Sequence, residues 1–151
     1  MLKIDYQLDP IAAAKTSDVD LASADSESLR YRFFLGDIYL RNQGADFSAP
    51  WGWVSVLDFA LSLKAIADTL SQGGTEHFEF TESDAALNFR RTGTDVEISS
   101  TYAPGVLRVS FPEFREQAHR FARKVLRDLC MRNLRLAANP EIRRYLDSTT
   151  E

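Results

Sequence analysis

Residues 77–136 hold the pattern that most limits the fold: four short alternating segments separated by turns, followed by one long amphipathic helix. Residues 77–81, 86–90, 95–101 and 106–110 are the segments, and Glu82-Ser83-Asp84, Thr92-Gly93-Thr94 and Ala103-Pro104-Gly105 are the turn signals between them. Under period-two alternation Phe78, Phe80, Leu87, Phe89, Val96 and Ile98 share one face, while Glu79, Asn88, Arg90, Glu97 and Ser99 share the other. The reading is an antiparallel meander with a core face and a polar face. Ser110-Phe111-Pro112-Glu113 then matches a capping box with proline in the first turn. Phe114, Ala118, Phe121, Ala122, Val125 and Leu129 form the apolar stripe of a helix that runs to about Leu136. Asn139-Pro140-Glu141 opens a short last helix through Leu146.

Upstream, Leu2, Ile4, Tyr6 and Leu8 alternate with polar residues as a half-buried strand does, and Asp9-Pro10 caps a helical turn over residues 11–15. Residues 29–41 are rich in aromatic and branched residues and read as a strand, with a bulge or tight reversal at Gly36-Asp37. Ser48 and Pro50 announce a second long helix, which Gly73-Gly74 ends after about Ser71. The sum is one α+β domain over residues 1–151. Its expected architecture is an antiparallel sheet of about five or six strands, packed on one face by two long helices, with a short C-terminal helix.

Charge is divided unevenly along the chain. Residues 1–110 hold nine basic and sixteen acidic residues, whereas residues 111–151 hold nine basic and six acidic ones. The overall net charge of −4 disfavours nucleic acid as a partner, because phosphate contacts need a basic excess. Arg115, Arg123 and Arg127 lie along one helix but are interspersed with Glu116 and Asp128, the pattern of a solvated face. Residues 16–28 include Asp18, Asp20, Asp25 and Glu27 with no basic residue, and read as an exposed, mobile acidic loop. The most apolar stretch, residues 51–70, is interrupted by Asp58, Lys64 and Asp68, so no membrane span is expected. An acidic start without an apolar run argues against a signal peptide, and a lone cysteine suits the cytoplasm.

Sites for chemistry are hard to assemble from these residues. His77, His119 and Cys130 lack the spacing that pre-orients metal ligands, and the Asp18/Asp20 pair lacks the later ligands of a calcium loop. No glycine-flanked serine elbow or phosphate-cradling loop is present, so neither a catalytic residue nor a cofactor is assigned. One segment stands apart: Asp46-Phe47-Ser48-Ala49-Pro50-Trp51-Gly52-Trp53. Tryptophan is the residue most enriched in interface hot spots, and Trp51 is the better candidate anchor, with Trp53 read rather as a cap on the core.

Two functional readings follow. The chain's layout (a strand, the helix over 50–71, a four-strand meander and a C-terminal amphipathic helix, on an acidic background) resembles immunity proteins of bacterial polymorphic toxin systems and small bacterial domains of similar layout. The resemblance implies a non-catalytic protein-binding module that neutralises a basic toxin or nuclease domain. Its candidate contacts are Asp18, Asp20, Asp25, Glu27, Asp46, Trp51, Glu79 and Glu97. The alternative is a small-ligand protein or enzyme with a pocket between the helix over 50–71 and the sheet.

Overall fold

Seven strands form two antiparallel sheets in place of the single sheet that the sequence suggests. The coordinates, a computed structural model, describe residues 1–14, 16, 18–81 and 83–149. Lys15, Ser17 and Glu82 lie outside the described residues, and with them parts of the expected first helical turn, acidic loop and first meander turn.

The first sheet joins β1 (Lys3–Leu8), β2 (Leu35–Arg41) and β3 (Ala49–Ser55) in that order. The second is the expected meander: β4 (Thr75–Glu79), β5 (Ala86–Thr92), β6 (Asp95–Ser100) and β7 (Leu107–Ser110). Among the described residues there are five α-helices: α1 (Pro10–Ala14), α2 (Ser26–Ser28), α3 (Val56–Leu70), α4 (Phe111–Arg132) and α5 (Pro140–Thr149). Helices α3 and α4 pack on each other, and both sheets bury their inner faces against the pair. The seam is aromatic. Phe59 of α3 meets Phe78 edge-on at 5.2 Å, Phe114 of α4 meets Phe89 at 5.6 Å, and Phe121 lies 6.0 Å from Tyr6 of β1.

Two segments depart from the expectation. The strand read over 29–41 is only β2, because Leu29–Phe33 forms a π-helical segment continuing α2. Burial of Leu29 and a hydrogen-bonded ion pair from Arg30 to Asp58 of α3 hold that coil, overriding the β-propensity of Tyr31 and Phe33. The helix expected from Ser48 and Pro50 starts at Val56, with Ser55 at its N-cap, because residues 49–55 pair with β2. Ser48-Pro50 imitates a helix start, while the β-partner that overrides it is distant in sequence.

Gly36 is a point of close approach in β2: a Cβ there would lie 2.1 Å from the Gln7 carbonyl oxygen. The Ser110 cap of α4 is as expected, its hydroxyl accepting from the Glu113 amide at 3.3 Å. Glu113 itself reaches across the molecule and accepts from the Leu2 amide at 2.6 Å, tying α4 to β1. α4 stops at Arg132, short of Leu136, and a 3-10 segment, Leu134–Ala138, leads into α5.

Candidate functional site

The register of β3 against β2 creates the most distinctive surface. Gly36 faces Val54, yet Ile38, two residues on, faces Ala49, five residues back, so three residues of β3 have no counterpart. The surplus forms a wide bulge around Gly52, whose φ of 79° needs a residue without a Cβ. Asp37 closes it: its carboxylate accepts from the Gly52 amide at 2.8 Å and from the Tyr39 hydroxyl at 3.4 Å.

The bulge stacks Trp51 on Trp53, with ring centroids 5.2 Å apart and planes 23° apart. Trp51 is half-buried, edge-on to Phe80 at 5.2 Å and to Tyr102 at 5.0 Å. Tyr102 donates to the Phe47 carbonyl at 2.5 Å, and burial, with Asp46 nearby, pushes its pKa up. Trp53 is 41% exposed, where the sequence reads it as a cap on the core. The reason is the late start of α3, which leaves Trp53 on a bulged edge strand and off the buried helix.

Trp53 forms one wall of an open groove of about 530 Å³, shared with Tyr31, Leu35, Arg32, Glu27, Ser55 and Thr81. Tyr31, also 41% exposed, faces it from the π-helical segment. Asp58 anchors that segment, accepting from Arg30 Nε at 2.9 Å and Nη2 at 2.6 Å. Asp25 caps α2 by accepting from the Ser28 amide at 2.8 Å, which holds its carboxyl below the usual range. Glu27 and Arg32 form an exposed 3.5 Å pair on the rim, the kind that contributes little to stability.

The eight candidate residues separate on this frame. Glu27 and Trp51 come together at the groove, Glu27 directly and Trp51 through its stack on Trp53. Asp46 lies behind them near Tyr102, accepting from the Ser48 amide at 2.9 Å, a contact that holds its pKa down. Asp18 is exposed in the loop. Asp20 is engaged by Arg135 at 2.8 Å and kept below the ordinary carboxylate range by that bond. Asp25 is a cap. Glu79 sits on the outer face of the second sheet, 3.8 Å from His77. Glu97 is held between Arg90 at 2.9 Å and Arg108 at 2.7 Å, and its pKa is lowered by Arg90 first. The polar sheet face is thus close to electrically balanced.

The acidic loop is tied down. Leu21 is buried in the core, and the buried Asn139 side chain donates to the Leu21 and Ala24 carbonyls at 2.8 and 2.9 Å. Sequence reasoning missed Asp37, Tyr31 and Leu35, and it placed Trp53 in the core. The available signal was the glycine between two tryptophans, which marks a bulge when the segment is read as a strand.

The space between α3 and the sheets, where the alternative reading puts a pocket, is filled by Leu57, Phe59, Leu63, Ala67 and Leu70. On the opposite side of α3, Asp68 gathers basic side chains: His119 Nε2 at 2.7 Å, Lys64 at 3.2 Å and Arg115 at 3.8 Å. Burial opposes ionisation of Asp68, but hydrogen bonds from His119 and Lys64 outweigh it and lower the pKa. Among the described residues no three His, Cys, Asp or Glu side chains converge as metal ligands, and no helix is long and apolar enough to cross a membrane. Cys130 is half-buried, and burial raises its thiol pKa. No protein-family model, curated protein or solved structure matches the chain.

Proposed function

We propose that the chain is a non-catalytic protein-binding module of the immunity type, which captures a basic toxin-like or nuclease domain in the bacterial cytoplasm. The observation that carries this reading is the exposed Trp53, stacked on the half-buried Trp51, on the wall of the 530 Å³ groove. A rigid aromatic pair beside an open cleft is the form of an interface hot spot, since it offers large apolar area with little rotamer entropy to lose. Glu27 lines the groove beside Arg32, and Asp37 under Gly52 and Asp46 near Tyr102 add negative charge next to it. Such charge favours encounter with a positively charged partner and repels acidic ones. The layout resemblance to immunity proteins points the same way. Glu97 and Asp20, each held by arginine at 2.9 Å or less, are left out of the contact set, whereas Glu27 has only a loose, exposed 3.5 Å pair with Arg32.

Co-expression with the product of the adjoining gene tests the reading. A stable complex that weakens as salt rises is expected, and Trp53→Ala should weaken it by about thirtyfold or more, as hot-spot truncations costing at least ~2 kcal/mol do. A complex indifferent to both Trp53→Ala and Glu27→Lys would sink it.

A further inference from the structure

The two sheets have four outer edges, and three of them are interrupted by contacts or irregularities visible in the structure. Beside β1, the amide of Leu2, the residue before the strand, is taken by Glu113 (2.6 Å), and the outward amide of Tyr6 at mid-strand by the Asp5 carboxylate (2.9 Å). β3 is broken by its bulge. On β7, Asn42 Nδ2 donates to the outward carbonyl of Arg108 at 3.1 Å. β4 differs. The bonds Arg91 N to Gly74 O and Phe80 N to Ala85 O fix which residues face β5, so Glu76 and Phe78 use their backbone groups in the ladder. The N–H and C=O groups of Thr75, His77 and Glu79 point outward, with no hydrogen-bond partner among the described residues.

We infer that the β4 edge is a docking rail for an extended basic segment of the partner, which adds to the second sheet as a fifth strand. This rests on the proposed basic partner and specifies how it is gripped. Main-chain hydrogen bonds to Thr75, His77 and Glu79 give the affinity, and side chains at alternate positions give the selectivity. The charge is one-sided: residues 65–89 contain no lysine or arginine, and Glu76 and Glu79 lie on the strand itself. Arg90, the cross-strand neighbour of Thr75, is occupied by Glu97. The rail also ends at the aromatic site, because Phe80, the next residue after β4, meets Trp51 and Thr81 lines the tryptophan groove. A strand on β4 therefore leads its neighbouring residues toward Trp53.

The probe is a short capped peptide of alternating lysine and valine, titrated into the full-length protein and followed by amide NMR. The amides of Thr75, His77 and Glu79 should shift and gain about tenfold or more in protection from hydrogen exchange, as newly bonded amides do. His77→Pro should weaken the peptide by about tenfold while preserving the fold, because the amide it removes is not used in the ladder to β5. Should that variant unfold, the same peptide N-methylated on alternate residues tests the inference without altering the protein, and it should not bind. Unchanged exchange at the three amides with millimolar peptide, or equal binding of the N-methylated peptide, overturns strand addition. Loss of the co-expressed partner in Trp53→Ala but not in His77→Pro overturns it as well, leaving the partner reading intact. Peptide uptake at β4 with no basic protein partner leaves strand addition standing and removes the neutraliser.

Discussion

The Asp37 carboxylate accepts a hydrogen bond from the Gly52 amide at 2.8 Å, across the point where β2 and β3 lose register. That contact holds the backbone of the bulge at Gly52, between the two stacked tryptophans, while Phe80 and Tyr102 support Trp51 by packing.

Replacing Asp37 with alanine therefore leaves the Gly52 amide without its acceptor. A loss of about 1.5–3 kcal/mol is expected, the worth of a hydrogen bond to a charged group. More diagnostic is the far-ultraviolet circular dichroism, where the strong transitions of two stacked indoles give a coupled signal. Asp37→Ala should abolish that signal, and Asp37→Asn, which keeps an accepting oxygen, should retain most of it. An unchanged spectrum in Asp37→Ala would show that the bulge holds its shape unaided.

The groove's second wall depends on Arg30 and Asp58. Asp58 is buried in the first turn of α3, and Arg30 binds it from the π-helical segment that carries Tyr31. Asp58→Ala strands a partly buried guanidinium and should cost about 3 kcal/mol, measured by urea denaturation. Protein lacking this pair should also lose partner affinity beyond what Tyr31→Ala costs, since the whole segment is released.

Gly36→Ala tests the approach of β1 to β2. The added methyl would stand 2.1 Å from the Gln7 carbonyl oxygen and 2.8 Å from the Leu8 Cα, both backbone atoms that cannot swing aside. Destabilisation at or above the top of the ~1–3 kcal/mol range for overpacking is expected, read as a fall in the urea midpoint. Gly93→Ala makes the contrast: nothing lies within 4 Å of its added Cβ, and its cost comes from the φ of 64° alone.

The meander and α4 are legible in the sequence because their signals are local: alternation, turn residues and the Ser110 cap lie within the elements they define. The failures are non-local. Tyr31 and Phe33 carry β-propensity, but Asp58, far along the chain, decides that Arg30 sits in a coil. Ser48 and Pro50 resemble a helix start, but hydrogen bonding to β2 decides that residues 49–55 are a strand. The site suffered from the same gap. Trp51 and Glu27 could be nominated by type, whereas the groove that joins them exists only after the π-helical segment and the bulge have formed. Asp20 and Glu97 show the converse, since charge alone nominated them and the arginines that occupy them are distant or across a strand.

Asp68 gives the clearest pH dependence. Its carboxyl is partly buried, which opposes ionisation, yet hydrogen bonds from His119 and Lys64 bring its pKa below the ordinary value of 3.8. A group whose pKa is lower in the folded state binds fewer protons there than in the unfolded chain, so its contribution is complete above the unfolded value and is lost as pH falls through the folded one. The window is thus acidic, beginning near pH 4 and extending below it. Asp68 is also 41% exposed, so solvent screening keeps the contribution small. Urea midpoints of the wild type should fall more steeply from pH 5 to pH 2 than those of Asp68→Asn, with the two curves converging at the acid end. Parallel curves through that window would mean that the contact between α3 and α4 at Asp68 and His119 carries no net charge energy.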